Sequence, residues 1–303
     1  MSPRIATVFG ATGLQGSAVV HALLKDGTFT PRAVTRDVNS TSALSLAQLG
    51  AEVVAADFGD KEALKNAVAG AEVVFLVTIP TFIASFPESD QGKNVIDASK
   101  EAGVRFMVFS TLPGISDLSK GKYTNAAHGD DKATAQKYLE ASGLPSASIS
   151  TGIFLENLLN KEIIGFSFDK TDDGYVFRTS THPHSSAVHT WIGHDMGPAV
   201  TALFTQYVTR SSEILGQTFV LGSARATFED FVVRLSKGLG RPVHIQYEKR
   251  LGIPAIDDMF DCLVEFPWYA GMSVPDPRLE KLGVKMGTIE EFARSVLKSH
   301  VDE

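Results

Sequence analysis

The stretch TVFGATGLQG, residues 7–16, decides the fold that this sequence predicts. Its glycines Gly10, Gly13 and Gly16 follow the spacing G-x-x-G-x-x-G, a variant of the dinucleotide-binding fingerprint G-x-G-x-x-G. An apolar strand pattern precedes the loop and a helical pattern follows it, as that fingerprint requires. Glycines there permit a tight turn and let backbone N–H groups approach a pyrophosphate at the positive end of the helix. We therefore expect a dinucleotide site, the alternative being close packing of helix against strand.

Segments beyond this loop alternate between strand and helix patterns through the first half of the chain. Short apolar runs are typical of strands, and helical spacing that closes on glycine is typical of helices. The alternation predicts βαβ units and therefore an α/β fold, a doubly wound parallel sheet of the Rossmann type. The predicted strands are 5–9, 32–36, 51–57, 72–78, 104–111 and 146–151, and the predicted helices are 14–27, 61–70, 89–103 and 126–143.

The second half of the chain has a different character. Residues 152–190 are rich in phenylalanine and histidine and show little periodicity. We expect a Rossmann domain over 1–153 and a smaller α+β domain over 154–303, with elements from about 186–222 returning to the large sheet. Further on, we predict helices at 191–206 and 227–240 and strands at 217–222 and 243–249.

Composition and charge argue against several functional classes. The chain is 44% hydrophobic and 21% charged, as in an ordinary globular protein, and its net charge of -7 argues against direct nucleic-acid binding. No leader peptide is recognisable, and no apolar run approaches the roughly 20 residues of a membrane span. The single cysteine, Cys262, cannot form an intramolecular disulfide. We expect a cytoplasmic protein, with the nucleus as a further location.

The end of the second predicted strand bears on which dinucleotide is bound. A carboxylate there suits the ribose of NAD, whereas an arginine accommodates the 2′-phosphate of NADP. Arg36 ends that strand, so the sequence favours NADP(H), although Asp37 follows directly and keeps the other choice open. Asp57, after the third strand, either accepts a hydrogen bond from the adenine amino group or caps the helix that begins near Lys61.

Several motifs follow one another in a fixed order along most of the chain. They are VFGATGLQG at 8–16, AVTRD at 33–37, DQGKNVIDASKEAGVRFMVFST at 90–111, LEASGLPSASISTGIFLENLL at 139–159 and IGHDMGPAV at 192–200. Together they resemble the NmrA-like family, an atypical branch of the short-chain dehydrogenases/reductases, and in particular its NADP(H)-sensing members.

The resemblance implies cofactor-binding roles at four places: the glycine loop, the tip of the second strand, the end of the fourth strand with the helix after it, and the segment after the sixth strand. The residues that match are Gly10, Thr12, Gly13, Leu14, Gln15, Gly16, Arg36, Thr78, Ile79, Pro80, Lys93, Phe154, Glu156 and Asn157.

The resemblance also points to a catalytic set with one member changed. Typical short-chain reductases use a serine and a Tyr-x-x-x-Lys pair, in which the tyrosine gives a proton to the substrate oxygen. Here Ser110 and Lys132 stand in the places of the serine and the lysine, while His128 stands in the place of the tyrosine. If catalysis continues, the proton comes from His128, Lys132, Tyr123 or a water. If it does not, Lys132 keeps a cofactor-binding role.

These alternatives lead to different functions. The missing tyrosine and the resemblance favour a redox sensor or regulator, which couples NADP(H) binding to association with a protein partner. The alternative is an NADPH-dependent reductase of a small carbonyl, imine or conjugated alkene. A third hypothesis is a structural dimerisation module that has lost its ligand. Monomer and homodimer both remain open.

A group of histidines lies in the stretch THPHSSAVHTWIGHD, residues 181–195. His182, His184, His189 and His194 raise the question of a metal site. The spacing H-x-H without a well-placed third ligand is a weak signal, so we expect no metal.

Overall fold

The computed structural model of the protein describes residues 3–81, 86–160, 162–183 and 185–302. In chain order the strands are β1 Ile5–Val8, β2 Thr30–Thr35, β3 Glu52–Ala55, β4 Ala71–Leu76, β5 Phe106–Thr111, β6 Ser146–Thr151, β7 Ile153–Phe154, β8 Phe166–Lys170, β9 Tyr175–Thr179, β10 Ser186–Thr190, β11 Thr218–Leu221, β12 Ala224–Thr227 and β13 Val243–Tyr247. The helices are α1 Leu14–Asp26, α2 Thr41–Gln48, α3 Lys61–Val68, α4 Glu88–Glu101, α5 Ile115–Leu118, α6 Ala127–Ala141, α7 Ile192–Gln206, α8 Ser211–Ile214, α9 Phe228–Leu239, α10 Pro254–Glu265, α11 Pro277–Lys281, α12 Ile289–Phe292 and α13 Lys298–Asp302.

A seven-stranded parallel sheet forms the centre of the protein. Its strand order is β11-β6-β5-β4-β1-β2-β3, and every neighbouring pair runs parallel. The order reverses between β1 and β4, and ligands of such sheets bind at this point, beyond the carboxyl ends of the strands. The Rossmann-type fold predicted from the sequence is confirmed.

Helices cover both faces of this sheet. On one face α1 and α7 bury apolar side chains such as Leu23 and Leu203, and on the other α3, α4 and α6 bury Leu64, Val95 and Leu139. All six residues of β5 are buried, which explains why the central strands read as unbroken apolar runs. Within the described ranges, no helix is both long enough and apolar enough to cross a membrane.

Two smaller sheets belong to the second half of the chain. One has the order β12-β10-β7 and the other β13-β9-β8. Between them, β9, α9, α10 and α12 enclose a second core that is rich in aromatic rings, including those of Phe177, Phe228 and Phe292. β11 lies in the large sheet beside β6. The division of the chain at residue 153 stays a prediction.

Candidate functional site

A cleft with a volume of 610 Å³ opens beyond the carboxyl ends of β1, β2 and β4. This is the size of a pocket for a medium-sized ligand. Residues for which the sequence predicts cofactor contacts form much of its wall: Gly10, Thr12, Gly13, Leu14, Gln15, Gly16, Arg36, Thr78, Ile79, Pro80 and Phe154. The wall also contains Ser40 and Phe58, to which the sequence analysis gave no role. We call this feature the cleft.

The conformation of the glycine loop at the floor of the cleft requires residues without a side chain at Gly10 and Gly16. Gly10 has a φ of 64°, in the left-handed region. A Cβ atom on Gly16 would lie 2.2 Å from the carbonyl oxygen of Gly10, so only glycine allows this approach. Gly13 caps α1 without a side-chain hydrogen bond, and the first turn of α1 has no acidic residue. The N–H groups at the start of α1 are therefore available to an anion.

Arg36 lies at the other end of the cleft, on the rim beside β2. It is exposed, and the described part of the chain offers its guanidinium no hydrogen bond or ion pair. The neighbouring Asp37 carboxylate instead accepts the N–H of Asn39 at 2.9 Å. The hydroxyl oxygen of Ser40 accepts the N–H of Ala43 at the start of α2. Arg36 is thus the cationic group that a ligand phosphate would meet here.

The walls of the cleft do not include five of the residues predicted to contact the cofactor: Asp57, Lys93, Lys132, Glu156 and Asn157. The Glu156 carboxylate accepts the N–H of Gly193 at 2.7 Å, and Lys132 is described below. The Asp57 carboxylate accepts the N–H of Gly59 at 2.8 Å. The alternative that Asp57 caps the helix near Lys61 is wrong, because Asp60 does so by accepting two N–H groups of α3. The ammonium of Lys93 pairs with Asp90 of its own helix, and Asn157 lines a separate recess described below.

Ser110 connects the end of β5 to the glycine loop. Its hydroxyl is buried and donates a hydrogen bond of 2.6 Å to the side-chain oxygen of Gln15. Gln15 belongs to the first turn of α1 and to the wall of the cleft. In this arrangement Ser110 positions the loop.

Lys132 lies behind the wall of the cleft in a buried ionic network. Its ammonium nitrogen is 2.7 Å from a carboxylate oxygen of Glu88 and donates to the Thr78 hydroxyl at 2.9 Å. The Thr78 hydroxyl in turn donates to Glu88 at 2.7 Å. Burial lowers the pKa of Lys132, while the charge of Glu88 opposes that shift. The other Glu88 oxygen has no hydrogen-bond partner among the described residues.

His128 and Tyr123 provide the other side chains considered as proton donors. His128 is half-buried one turn before Lys132 on α6, and burial lowers its pKa, which favours the neutral ring at neutral pH. The Tyr123 hydroxyl donates to Glu265 at 2.8 Å and belongs to the second core, away from the cleft. Of the predicted catalytic residues, Lys132 bonds to the cleft-wall residue Thr78, and Ser110 bonds to the cleft-wall residue Gln15.

A small recess of about 10 Å³ lies behind Phe154, whose ring also lines the cleft. Its walls, which define the aromatic recess, are Ile153, Phe154, Asn157, Leu158, Phe166, Phe177, His189, Phe228 and Phe231. His189 comes from β10 and is 1% exposed. Its ring stacks on Phe231 with centroids 4.2 Å apart. Neither ring nitrogen has a hydrogen-bond partner among the described residues.

Burial and the nearby charge of Arg234 lower the pKa of His189 to about 3. In the unfolded chain, this imidazole takes up a proton near pH 6.5. Below that pH the unfolded state therefore binds more protons than the native state, and the unfolding free energy falls as the pH falls. Between about pH 7 and pH 5 we expect His189 to account for a loss of about 2 kcal/mol in unfolding free energy. Urea unfolding of the wild type and of His189→Phe at pH 7 and pH 5 measures this effect, and the wild type should lose about 2 kcal/mol more in unfolding free energy than the variant. An equal loss in both proteins would contradict the prediction.

Two further histidines of the group, His182 and His194, have hydrogen-bond partners. His182 contacts Asp261 and His194 contacts Asp195, each at 2.7 Å. His184 lies outside the described residues. In the part of the chain that the structure describes, no three histidine, cysteine, aspartate or glutamate side chains come together as metal ligands.

Fold and site define a Rossmann-type protein whose cleft has the form of a dinucleotide site. The chain belongs to the NmrA-like family, whose profile matches residues 2–258. It is 36% identical to the NmrA-like family domain-containing oxidoreductase notA of Aspergillus sp. (strain MF297-2), over 67% of this chain and 64% of that protein's length.

Solved structures show the same fold at lower identity. NmrA, a negative transcriptional regulator solved in complex with NAD and with NADP, superposes with TM-scores of 0.83 and 0.81 at 20% identity; both alignments cover 100% of this chain and 98% of the other. The NADPH-dependent quinone oxidoreductase QOR2 of Escherichia coli superposes with a TM-score of 0.70 at 23% identity, covering 99% of this chain and 100% of the other.

Proposed function

We propose that the protein binds NADP(H) in the cleft and uses it to reduce a small carbonyl, imine or conjugated alkene. The residues suit this cofactor at both ends of the cleft. Uncapped N–H groups at the start of α1 would hold the pyrophosphate, and Arg36 would hold the 2′-phosphate. When bound, NADPH supplies a hydride from its nicotinamide.

The observation that carries the reductase proposal is the contact between Lys132 and Thr78. Thr78 is a residue of the cleft wall, and the buried ammonium of Lys132 donates to its hydroxyl at 2.9 Å. The Thr78 hydroxyl, which here donates to Glu88, would turn to donate its proton to the substrate oxygen or nitrogen as the hydride reaches carbon. The Lys132 ammonium would replace that proton and would regain its own from solvent after the product leaves. A lysine whose pKa is lowered by burial is a better acid at neutral pH. This route replaces the missing tyrosine.

The names of related proteins are compatible with both functions, and one of them supports the reductase. The relative notA carries the name oxidoreductase, and it is more similar in sequence to this chain than the NmrA regulator is. The sensor remains a second candidate because of one specific observation: His128 stands where the tyrosine is expected, and burial favours its neutral form. A sensor would bind NADP(H), reduce no compound and associate with a protein partner. Cytoplasmic or nuclear location and the oligomeric state stay predictions.

The cofactor proposal predicts a specific effect of Arg36→Ala. The variant should lose about 10- to 100-fold in affinity for NADPH, because a charge-assisted hydrogen bond contributes about 1.5–3 kcal/mol, while NADH binding should be unchanged. Calorimetric titration of both dinucleotides measures this difference. Arg36→Lys is the matched control and should keep part of the preference. An unaltered NADPH preference in Arg36→Ala would refute the assignment.

The proton route predicts that Thr78→Val and Thr78→Ser differ sharply. Both should bind NADPH, but Thr78→Val should lose about 100-fold in kcat, since general acid catalysis contributes at least that factor. Thr78→Ser keeps the hydroxyl and should retain most of the activity. Loss of nicotinamide absorbance, followed over a panel of ketones, imines and enones, measures turnover. If the wild type bound NADPH but turned over no compound of the panel, the sensor would be favoured. If it bound neither NADPH nor NADP⁺, the structural dimerisation module would be the remaining hypothesis.

A further inference from the structure

The aromatic recess combines an apolar wall with a buried polar side chain that lacks a hydrogen-bond partner among the described residues. Its walls are mostly phenyl rings, and the one imidazole among them, His189, has two ring nitrogens without partners in the described chain. Polar atoms that are buried in a native protein nearly always have a hydrogen-bond partner, so such an exception calls for an explanation. A ligand atom that bonds to His189 would supply one.

Phe154 connects the recess to the proposed reaction site. Phe154 is part of the wall of both the cleft and the recess. In its present form the recess holds no more than one water molecule. If the Phe154 ring turned towards the cleft, it would vacate a volume equal to one phenyl ring. The ring of a ligand could then occupy that volume and keep the aromatic packing.

We propose that the aromatic recess receives an aromatic ring of the substrate, and that His189 binds a hydroxyl, amine or carbonyl group carried by that ring. The inference rests on the proposed reductase, since it assigns the substrate side of that site. Because His189 is kept neutral by its surroundings, its ring offers one donor and one acceptor. Asn157, in the same wall, offers an amide that suits either kind of group. His189 is thus a specificity residue and takes no part in the proton route.

The environment of His189 favours a flat, neutral ligand. The imidazole stacks on Phe231 and makes a T-shaped contact with Phe228, with centroid distances of 4.2 and 5.8 Å. A ring that enters beside these side chains would make offset or edge-to-face contacts. A charged ligand would lose its hydration without a countercharge in the recess walls, which contain no acidic or basic side chain apart from neutral His189.

Phenol and toluene are matched probes for this site, because they have nearly the same shape and only phenol forms hydrogen bonds. Calorimetry on the full chain without NADPH should show that the wild type binds phenol about tenfold more tightly than toluene, as expected for one hydrogen bond. His189→Phe keeps the stacking on Phe231 and should bind the two probes alike. Phe154→Ala, which opens the wall, should bind both more tightly than the wild type.

A second measurement keeps the test independent of the folding of any variant. With nitrogen-labelled histidine in the wild type, phenol should move the ring-nitrogen resonances of His189, and toluene should leave them almost unchanged. Equal binding of both probes to the wild type, or binding only in Phe154→Ala, would overturn the proposal. These titrations use neither NADPH nor turnover, so their outcome is separate from the success or failure of the proposed reductase.

Discussion

Gly16→Ala is expected to reduce NADPH affinity by about 100-fold or more, because the start of α1 and the turn at Gly10 cannot both keep their places. The added methyl carbon would lie 2.2 Å from the carbonyl oxygen of Gly10 and 2.8 Å from Cα of Ala11. These are backbone atoms, so no side chain can move aside to relieve the clash. The N–H groups proposed to bind the pyrophosphate would shift with the backbone. Calorimetric titration with NADPH measures the loss.

Gly13→Ala is the matched control within the same loop. Gly13 has a φ of -91°, which any residue can adopt, and a Cβ atom there would lie 3.4 Å from the Gly10 oxygen. We expect this variant to fold normally and to keep NADPH affinity within about tenfold of the wild type. Gly16→Ala should also lose about 1–3 kcal/mol in stability to urea, as overpacked sites do. Similar behaviour of the two variants would show that the close approach at Gly16 does not control the site.

The sequence predicts this loop well because its signal is local. A strand, three glycines and a helix follow one another within a short stretch of chain, and the backbone requires glycine at Gly10 and Gly16. The same is true of the large sheet, whose central strands are buried on both faces and therefore read as apolar runs. Arg36 was also found locally, from its place at the tip of β2.

Interactions between residues that are distant in the chain could not be predicted from local sequence patterns. Glu88 begins α4, where an acidic residue suits the helix dipole and is normally taken as an exposed terminal charge. The structure instead buries it completely against Lys132. The hydrogen bond between Ser110 and Gln15 joins residues far apart in the chain. Pattern and spacing carry no information about such pairs.

The second half of the chain shows another limit. His189 belongs to a cluster of histidines for which the sequence predicts no metal and assigns no other role, and its ring packs among phenyl rings. The strands β7 to β10 are short, so their alternation of apolar and polar residues is too brief to recognise. In the sequence, aromatic residues there are equally compatible with a core and with a ligand pocket; the structure shows that Phe154 lines both the cleft and the recess.

Lys132→Met is expected to lose both stability and turnover. It removes the charge that compensates the Glu88 carboxylate, and a buried carboxylate left without its partner costs about 3–5 kcal/mol of unfolding free energy. It also removes the proposed proton source behind Thr78, so kcat should fall by about 100-fold or more. Urea unfolding measures the first effect, and NADPH oxidation with a substrate found in the panel measures the second.

The double variant Lys132→Met with Glu88→Gln separates these two effects. A neutral glutamine can still accept a hydrogen bond from the Thr78 hydroxyl, so most of the lost stability should return. Turnover should not return, because the double variant still has no ammonium to reprotonate Thr78. If the double variant regained both stability and kcat, Lys132 would be a structural partner of Glu88 only. The proton donor would then have to be sought in His128 or a water, and the sensor would regain support if NADPH binding were unchanged throughout.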